Sequence, residues 1–171
     1  MEMKREEVRN DFPPIYDDQS RILILGSLPS TASRAAGFYY MNPRNRFWEV
    51  LSRLLGEDLT SLFKEGKTAV LLRRHVALSD VVLSCEIYKS SDASLKVKEY
   101  TDVDAILRAS EVRRIFLNGG TAYDLFLRRY PALAPIAIRL PSTSPANARD
   151  TVDSLVAAWE KAISPYLDPR L

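Results

Sequence analysis

The sequence predicts an α/β fold, a three-layer α/β/α arrangement around a central, mostly parallel sheet. Three observations carry this expectation. Apolar, β-branched runs at 21–26, 112–117 and 135–140 read as short strands, the first apolar on both faces as a central parallel strand requires. Amphipathic segments separate them. The connections between them are mostly short, and strand–helix alternation of this kind gives a parallel sheet covered on both sides.

Taken in order, residues 1–20 are polar, with Pro13-Pro14 and Asp17-Asp18, and read as an extended N-terminal arm or loop. Strand 21–26 follows, then a long loop over 27–43, whose aromatic residues Phe38, Tyr39 and Tyr40 argue for order. Residues 45–55 read as a helix: Phe47, Trp48, Leu51, Leu54 and Leu55 recur at spacings of three and four, and Gly56 closes it. The middle is less determined. Residues 69–72 suggest a short strand, 76–83 fit either a strand or a helix, and 88–98 read as an exposed loop. Thr101 with Asp104 opens a helix to about 110 in the manner of a capping box. Strand 112–117 ends in Asn118-Gly119-Gly120. An amphipathic helix over 121–130, a strand over 135–140 and a helix over 148–163 complete a chain read as one domain.

Length and composition are those of a globular domain with a sizeable core: 171 residues, 46% hydrophobic and 27% charged. The net charge of +2 announces no nucleic-acid partner by itself. The basic residues are mostly arginine, however, and several are paired or near the loops discussed below: Arg44 and Arg46, Arg73-Arg74, Arg113-Arg114, Arg128-Arg129, and Arg149. Such residues suit bidentate phosphate contact or a solvated helix face. The single cysteine, Cys85, excludes an internal disulfide and a cysteine-based metal site. No apolar run reaches the length of a membrane span, and the polar start is no signal peptide, so a cytoplasmic protein is expected.

The chemistry concentrates in two loops that follow predicted strands, Gly26-Ser27-Leu28-Pro29-Ser30 and Leu140-Pro141-Ser142-Thr143-Ser144-Pro145-Ala146-Asn147. Ligand crevices in parallel sheets lie beyond the carboxyl ends of the strands, so these loops face one cleft. Backbone amides and hydroxyls there suit a phosphate-bearing ligand. The motifs for dinucleotide binding, a P-loop, a serine nucleophile elbow and a His/Cys metal cluster are all missing. The one histidine, His75, precedes an apolar run and reads as structural. The chemistry must therefore use amides, hydroxyls, carboxylates or backbone dipoles.

These two loops, with Tyr39-Tyr40 and Pro43-Arg44-Asn45-Arg46-Phe47-Trp48 between them, resemble the uracil-DNA glycosylase superfamily, and within it the hypoxanthine-DNA (DNA-deoxyinosine) glycosylase branch. The resemblance runs from Phe12-Pro13-Pro14-Ile15-Tyr16-Asp17 to the last helix. It implies a uracil-DNA glycosylase-like fold and a monofunctional enzyme that hydrolyses the N-glycosidic bond of a flipped, deaminated base in DNA, acting without metal or cofactor and as a monomer. It places Asn45 as the catalytic group whose amide carbonyl positions water. Gly26, Ser27, Leu28, Tyr40, Phe47 and Asn118 would form the base pocket. Ser30, Ser142, Ser144, Pro145, Ala146, Asn147 and Arg149 would contact DNA, with 145–147 as the wedge. Leu28 stands where the mismatch-specific relatives carry an activating Asn, and Ser79 where the branch usually has Trp. A uracil-preferring mismatch glycosylase and an inactive DNA-binding module on the same fold are the alternatives. From the residues alone, Asn45 also reads as a helix cap, and Phe47 and Trp48 as core.

Overall fold

A computed structural model describes residues 5–88 and 95–167. Four parallel strands form its centre: β2 (Ile22–Gly26), β3 (Val76–Asp80), β6 (Arg114–Asn118) and β7 (Ala137–Leu140), in the spatial order β3-β2-β6-β7. Gly26 pairs with Asp80 and Asn118 with Leu140, so the four carboxyl ends are aligned along one edge. Every residue of β2 is buried, which is why its sequence shows no polar alternation.

The two faces of this sheet carry separate cores. Ile22, Ile24, Leu78 and Phe116 pack against helices α2 (Phe47–Leu55), α3 (Lys64–Arg73) and α6 (Val152–Ile163). Leu23, Leu25, Ile115 and Leu117 point the other way, toward α4 (Val103–Arg108) and α5 (Gly120–Arg129). The second face also meets a three-stranded antiparallel sheet, β1-β4-β5, made of β1 (Arg5–Arg9), β4 (Val82–Tyr88) and β5 (Lys96–Tyr100). The three-layer arrangement is as expected; this extra sheet is not.

It corrects two expectations. Residues 5–9, read as part of an arm, form a strand in which Val8 is buried beneath charged neighbours. An edge strand needs few apolar residues, so composition concealed it. The segment read as an exposed loop contains β5 at 96–100 and the end of β4; residues 89–94 lie outside the described residues. Residues 76–83 prove to be strands, but of two sheets, with the chain passing from one to the other at Val81.

Three further segments differ. Residues 69–72 belong to helix α3, where Val70 and Leu71 are its buried face; an apolar run this short does not distinguish strand from helix. The loop after β2 contains a short helix, α1 (Thr31–Ala36), capped by Ser30. The cap of α4 is Asp102, which accepts from the Ala105 amide, while the Thr101 hydroxyl donates to the Asp80 carbonyl. Pro135 lies in a 3-10 segment (Pro131–Ile136), and β7 starts only after it. The last helix starts at Val152 behind a Thr151–Ser154 capping box.

Because Ile24 is fully buried at the sheet centre, Ile24→Ala should lower the unfolding free energy by about 2–5 kcal/mol. Denaturant unfolding measures it; a loss below about 1 kcal/mol would contradict the packing described.

Candidate active site

A cavity of about 610 Å³ opens over the aligned ends of the strands. Its wall includes Gly26, Ser27, Leu28, Tyr40 and Asn118, five of the six residues expected to form a base pocket. The sixth, Phe47, is fully buried behind Tyr40, whose ring stacks on it at 3.9 Å between centroids and 17° between planes. Tyr40 is thus an aromatic surface of the cavity and Phe47 its support. Tyr40 holds a left-handed φ of 54°, strained for a bulky residue. Trp48 is core: it stacks on Phe38 and its indole N–H donates to the Tyr39 carbonyl.

The floor is a connected set of hydrogen bonds. Asn118, at the end of β6, accepts from the Thr143 amide (3.0 Å) and donates through Nδ2 to Thr143 Oγ1 (2.9 Å) and Tyr40 Oη (3.1 Å). The Thr143 hydroxyl donates to Asn45 Oδ1 (2.8 Å). That same Oδ1 accepts from the Phe47 amide (2.9 Å), which can only donate and so fixes the orientation of the Asn45 amide. Both acceptor positions of Asn45 Oδ1 are therefore occupied. The expected use of its carbonyl to hold water conflicts with this geometry; the edge left for a ligand is Nδ2. Asn45 is a residue of the cavity wall and, contrary to the cap expected there, lies one residue before the N-cap of α2, Arg46, whose side chain makes no cap hydrogen bond; the Asn45 side chain instead turns the chain into α2 by accepting from the Phe47 amide.

The loop after β7 is shaped by Arg46. Its guanidinium donates to the carbonyls of Ser144 (2.7 Å), Asn147 (2.9 Å), Thr143 (3.3 Å) and Asp150, and its own amide donates to Thr143. An arginine that suited either phosphate contact or a solvated face is instead the clamp that folds the loop after β7. Most other pairs are likewise engaged. Arg73 and Arg74 meet Glu57, Arg113 pairs with Glu111, Arg114 lies over Tyr166, and Arg129 lies over Tyr130. Arg44 and Arg149 are exposed, on segments whose Asn42, Asn45 and Asn147 line the cavity.

Ser142 and Ser144 accept from the amides of Ser144 and Ala146, which leaves their hydroxyl protons available to an anion. Pro145 and Ala146 are the exposed tip. Asn147 is a brace, donating to the Ser142 carbonyl and to Asp150. The Ser30 hydroxyl caps α1 at the cavity rim.

Four residues that were not among the expected site residues contribute: Thr143, Ile87, Leu95 and Asp80. Thr143, fully buried, is the hub described above. Ile87 and Leu95 join Leu28 as an apolar wall, supplied by the unexpected antiparallel sheet. Asp80, at the end of β3, is 4% exposed yet lines the cavity. A Cβ on Gly26 would lie 2.6 Å from both Asp80 Oδ1 and Tyr40 Oη, so glycine is what permits this crowded floor.

The sequence and the fold resemble those of known proteins. A model described as the uracil DNA glycosylase superfamily matches residues 13–163, and the chain belongs to that family. Two similar relatives are named hypoxanthine DNA glycosylase. The one from Methanosarcina barkeri is 32% identical over 158 residues, covering 90% of this chain and 97% of its own. The one from Methanosarcina acetivorans is 33% identical over 145 residues, covering 83% and 90%. A solution NMR structure of a candidate uracil DNA glycosylase from Methanosarcina acetivorans superimposes with a TM-score of 0.73 at 30% identity, covering 88% of this chain and 95% of that one.

Burial pushes the Asp80 carboxyl up to about 7, against about 4 for an unfolded chain. Between these values the folded protein holds a proton that the unfolded one lacks, so this group's stabilisation is full below about pH 4 and lost as pH rises through 7. D80N should therefore melt increasingly above the wild type from pH 4 to pH 8. Calorimetry measures the difference, and a constant gap across that range would contradict it.

Proposed function

We propose that the protein is a monofunctional DNA glycosylase that hydrolyses the N-glycosidic bond of a deaminated base, with hypoxanthine as the main substrate. The observation that carries this is the Asn45–Thr143–Asn118 chain on the floor of a cavity at the sheet's carboxyl edge, next to a serine-bearing phosphate loop. The names of the two relatives support the choice of base. The cavity suits a nucleobase taken out of the duplex, an extrusion that costs a few kcal/mol. Stacking on Tyr40 returns about 1–3 kcal/mol.

Glycosidic cleavage builds oxocarbenium character on the sugar, and such a cation needs water placed rather than strongly deprotonated. In this reading Asn45, locked by Phe47 and Thr143, orients that water through Nδ2. Ser142 and Ser144 hold flanking phosphates, while Pro145 and Ala146 fill the vacated stack. DNA is the partner, the domain acts as a monomer inside the cell, and the chemistry requires neither metal nor cofactor.

Incubation with duplexes carrying one inosine, followed by alkali, should reveal strand cleavage at the abasic site. Excision of uracil alone would move the protein to the uracil-preferring reading, and binding without excision to the inactive module. Asn45→Ala should slow single-turnover excision about a hundredfold or more. It should also cost about 1 kcal/mol of stability, because it removes the acceptor of the Phe47 amide and of the Thr143 hydroxyl. A near-wild-type rate would overturn Asn45's role.

With the exposed Arg44 and Arg149 as phosphate contacts, affinity for DNA should fall with salt at a log–log slope of about −2. A flat titration would remove them as phosphate contacts.

A further inference from the structure

The cavity floor holds a carboxyl group for which the proposed reaction has so far found no use. Asp80 ends β3, at the sheet edge opposite β7 and its phosphate loop. A nucleotide gripped by Ser142 and Ser144, with its sugar at Asn45, extends its base along the strand ends toward Asp80. Gly26 lies between, with no side chain to block the approach.

The proton of this carboxyl has a defined place. Asn10 accepts from the Phe12 amide through its own Oδ1, which fixes its orientation, and donates through Nδ2 to Asp80 Oδ2 (3.1 Å). Oδ2 is therefore the acceptor oxygen, and a neutral carboxyl carries its proton on Oδ1, the oxygen beside Gly26 and Tyr40.

Resting on the glycosylase reading above, we propose that Asp80 is a catalytic general acid specific for purine lesions, donating its Oδ1 proton to N7 of the departing base. As the Oδ1–H bond breaks, N7–H forms. The electron pair of the C1′–N9 bond passes into the imidazole ring, and hypoxanthine leaves neutral instead of as an anion. The water oxygen bonds to C1′ and releases one proton to solvent, and the Asp80 carboxylate regains one from solvent before the next turnover. Uracil has no N7, so this assistance acts on purines only.

The surroundings keep the proton available. Tyr39 and Tyr40 face Asp80 from the segment between α1 and α2. Burial, reinforced by the Asp80 charge, pushes both phenols up, so they stay neutral near pH 7. Asn10 after β1, Gly26 on β2, Ser79 on β3 and Asn118 on β6 carry no charge. Burial holds Asp80 protonated up to about pH 7.

Single-turnover excision of hypoxanthine from an inosine duplex, measured from pH 5.5 to 9, tests this directly. The wild-type rate should be level at low pH and fall about tenfold per unit above about 7. At pH 6, D80N should be about a hundredfold slower, with no such fall, while still binding the duplex. A wild-type rate that is flat or rises through this range overturns the proposal without needing any variant, as does a D80N rate equal to wild type. Flat or rising excision leaves the glycosylase reading standing; no excision of hypoxanthine at any pH removes both.

Discussion

The site depends on the reciprocal pairing of Asn118 with Thr143. One amide group at the end of β6 takes the Thr143 N–H and gives its own proton to the Thr143 hydroxyl. This fixes the loop after β7 against the sheet and turns the hydroxyl toward Asn45. The second proton of Asn118 Nδ2 holds Tyr40 Oη over the cavity. Thr143 is fully buried, and each of these groups, left unpaired there, would cost roughly 1–3 kcal/mol. The network is thus an all-or-none arrangement rather than a set of separable contacts.

Around it the polypeptide places rigid supports. Arg46 gathers the loop's carbonyls, Trp159 of α6 donates to the Pro141 carbonyl, and Phe47 backs Tyr40. Phe47 of α2 and its N-cap Arg46 supply two of these three supports, with Asn45 directly before them, so the buried face of α2 determines the position of the Asn45 edge that meets the cavity. The same economy explains why the arginines do not read as a basic surface. Most of them hold protein groups, and the modest net charge of +2 is no measure of how the cleft binds.

Much of this arrangement was legible in the residues. Ile22-Leu23-Ile24-Leu25 is apolar on both faces and can only be a central strand; the two Pro/Ser loops follow strands, and their meeting at one edge follows from parallel topology. What composition could not show was pairing. The β1 strand is charged because only one of its faces is covered, and α3 hides in a short apolar run within a mixed segment. Thr143 gave no signal between two serines, since its importance comes from burial. Asp80 sat in a run that fits either a strand or a helix, and a carboxylate's protonation depends on surroundings that the chain assembles from β2, the segment after β1 and the segment before α2. Asn45 was recognisable as a site residue, but which of its two polar edges faces the ligand is set by Phe47 and Thr143.

In the proposed reaction Thr143 acts through Asn45, whose Oδ1 it holds. A double-mutant cycle of Thr143→Val and Asn45→Ala on the single-turnover excision of hypoxanthine tests it most directly. Thr143→Val alone should slow the reaction at least tenfold, about the scale of one hydrogen bond, and should slow the Asn45→Ala enzyme no further. Independent, multiplicative losses, or a Thr143→Val enzyme as fast as wild type, would contradict it.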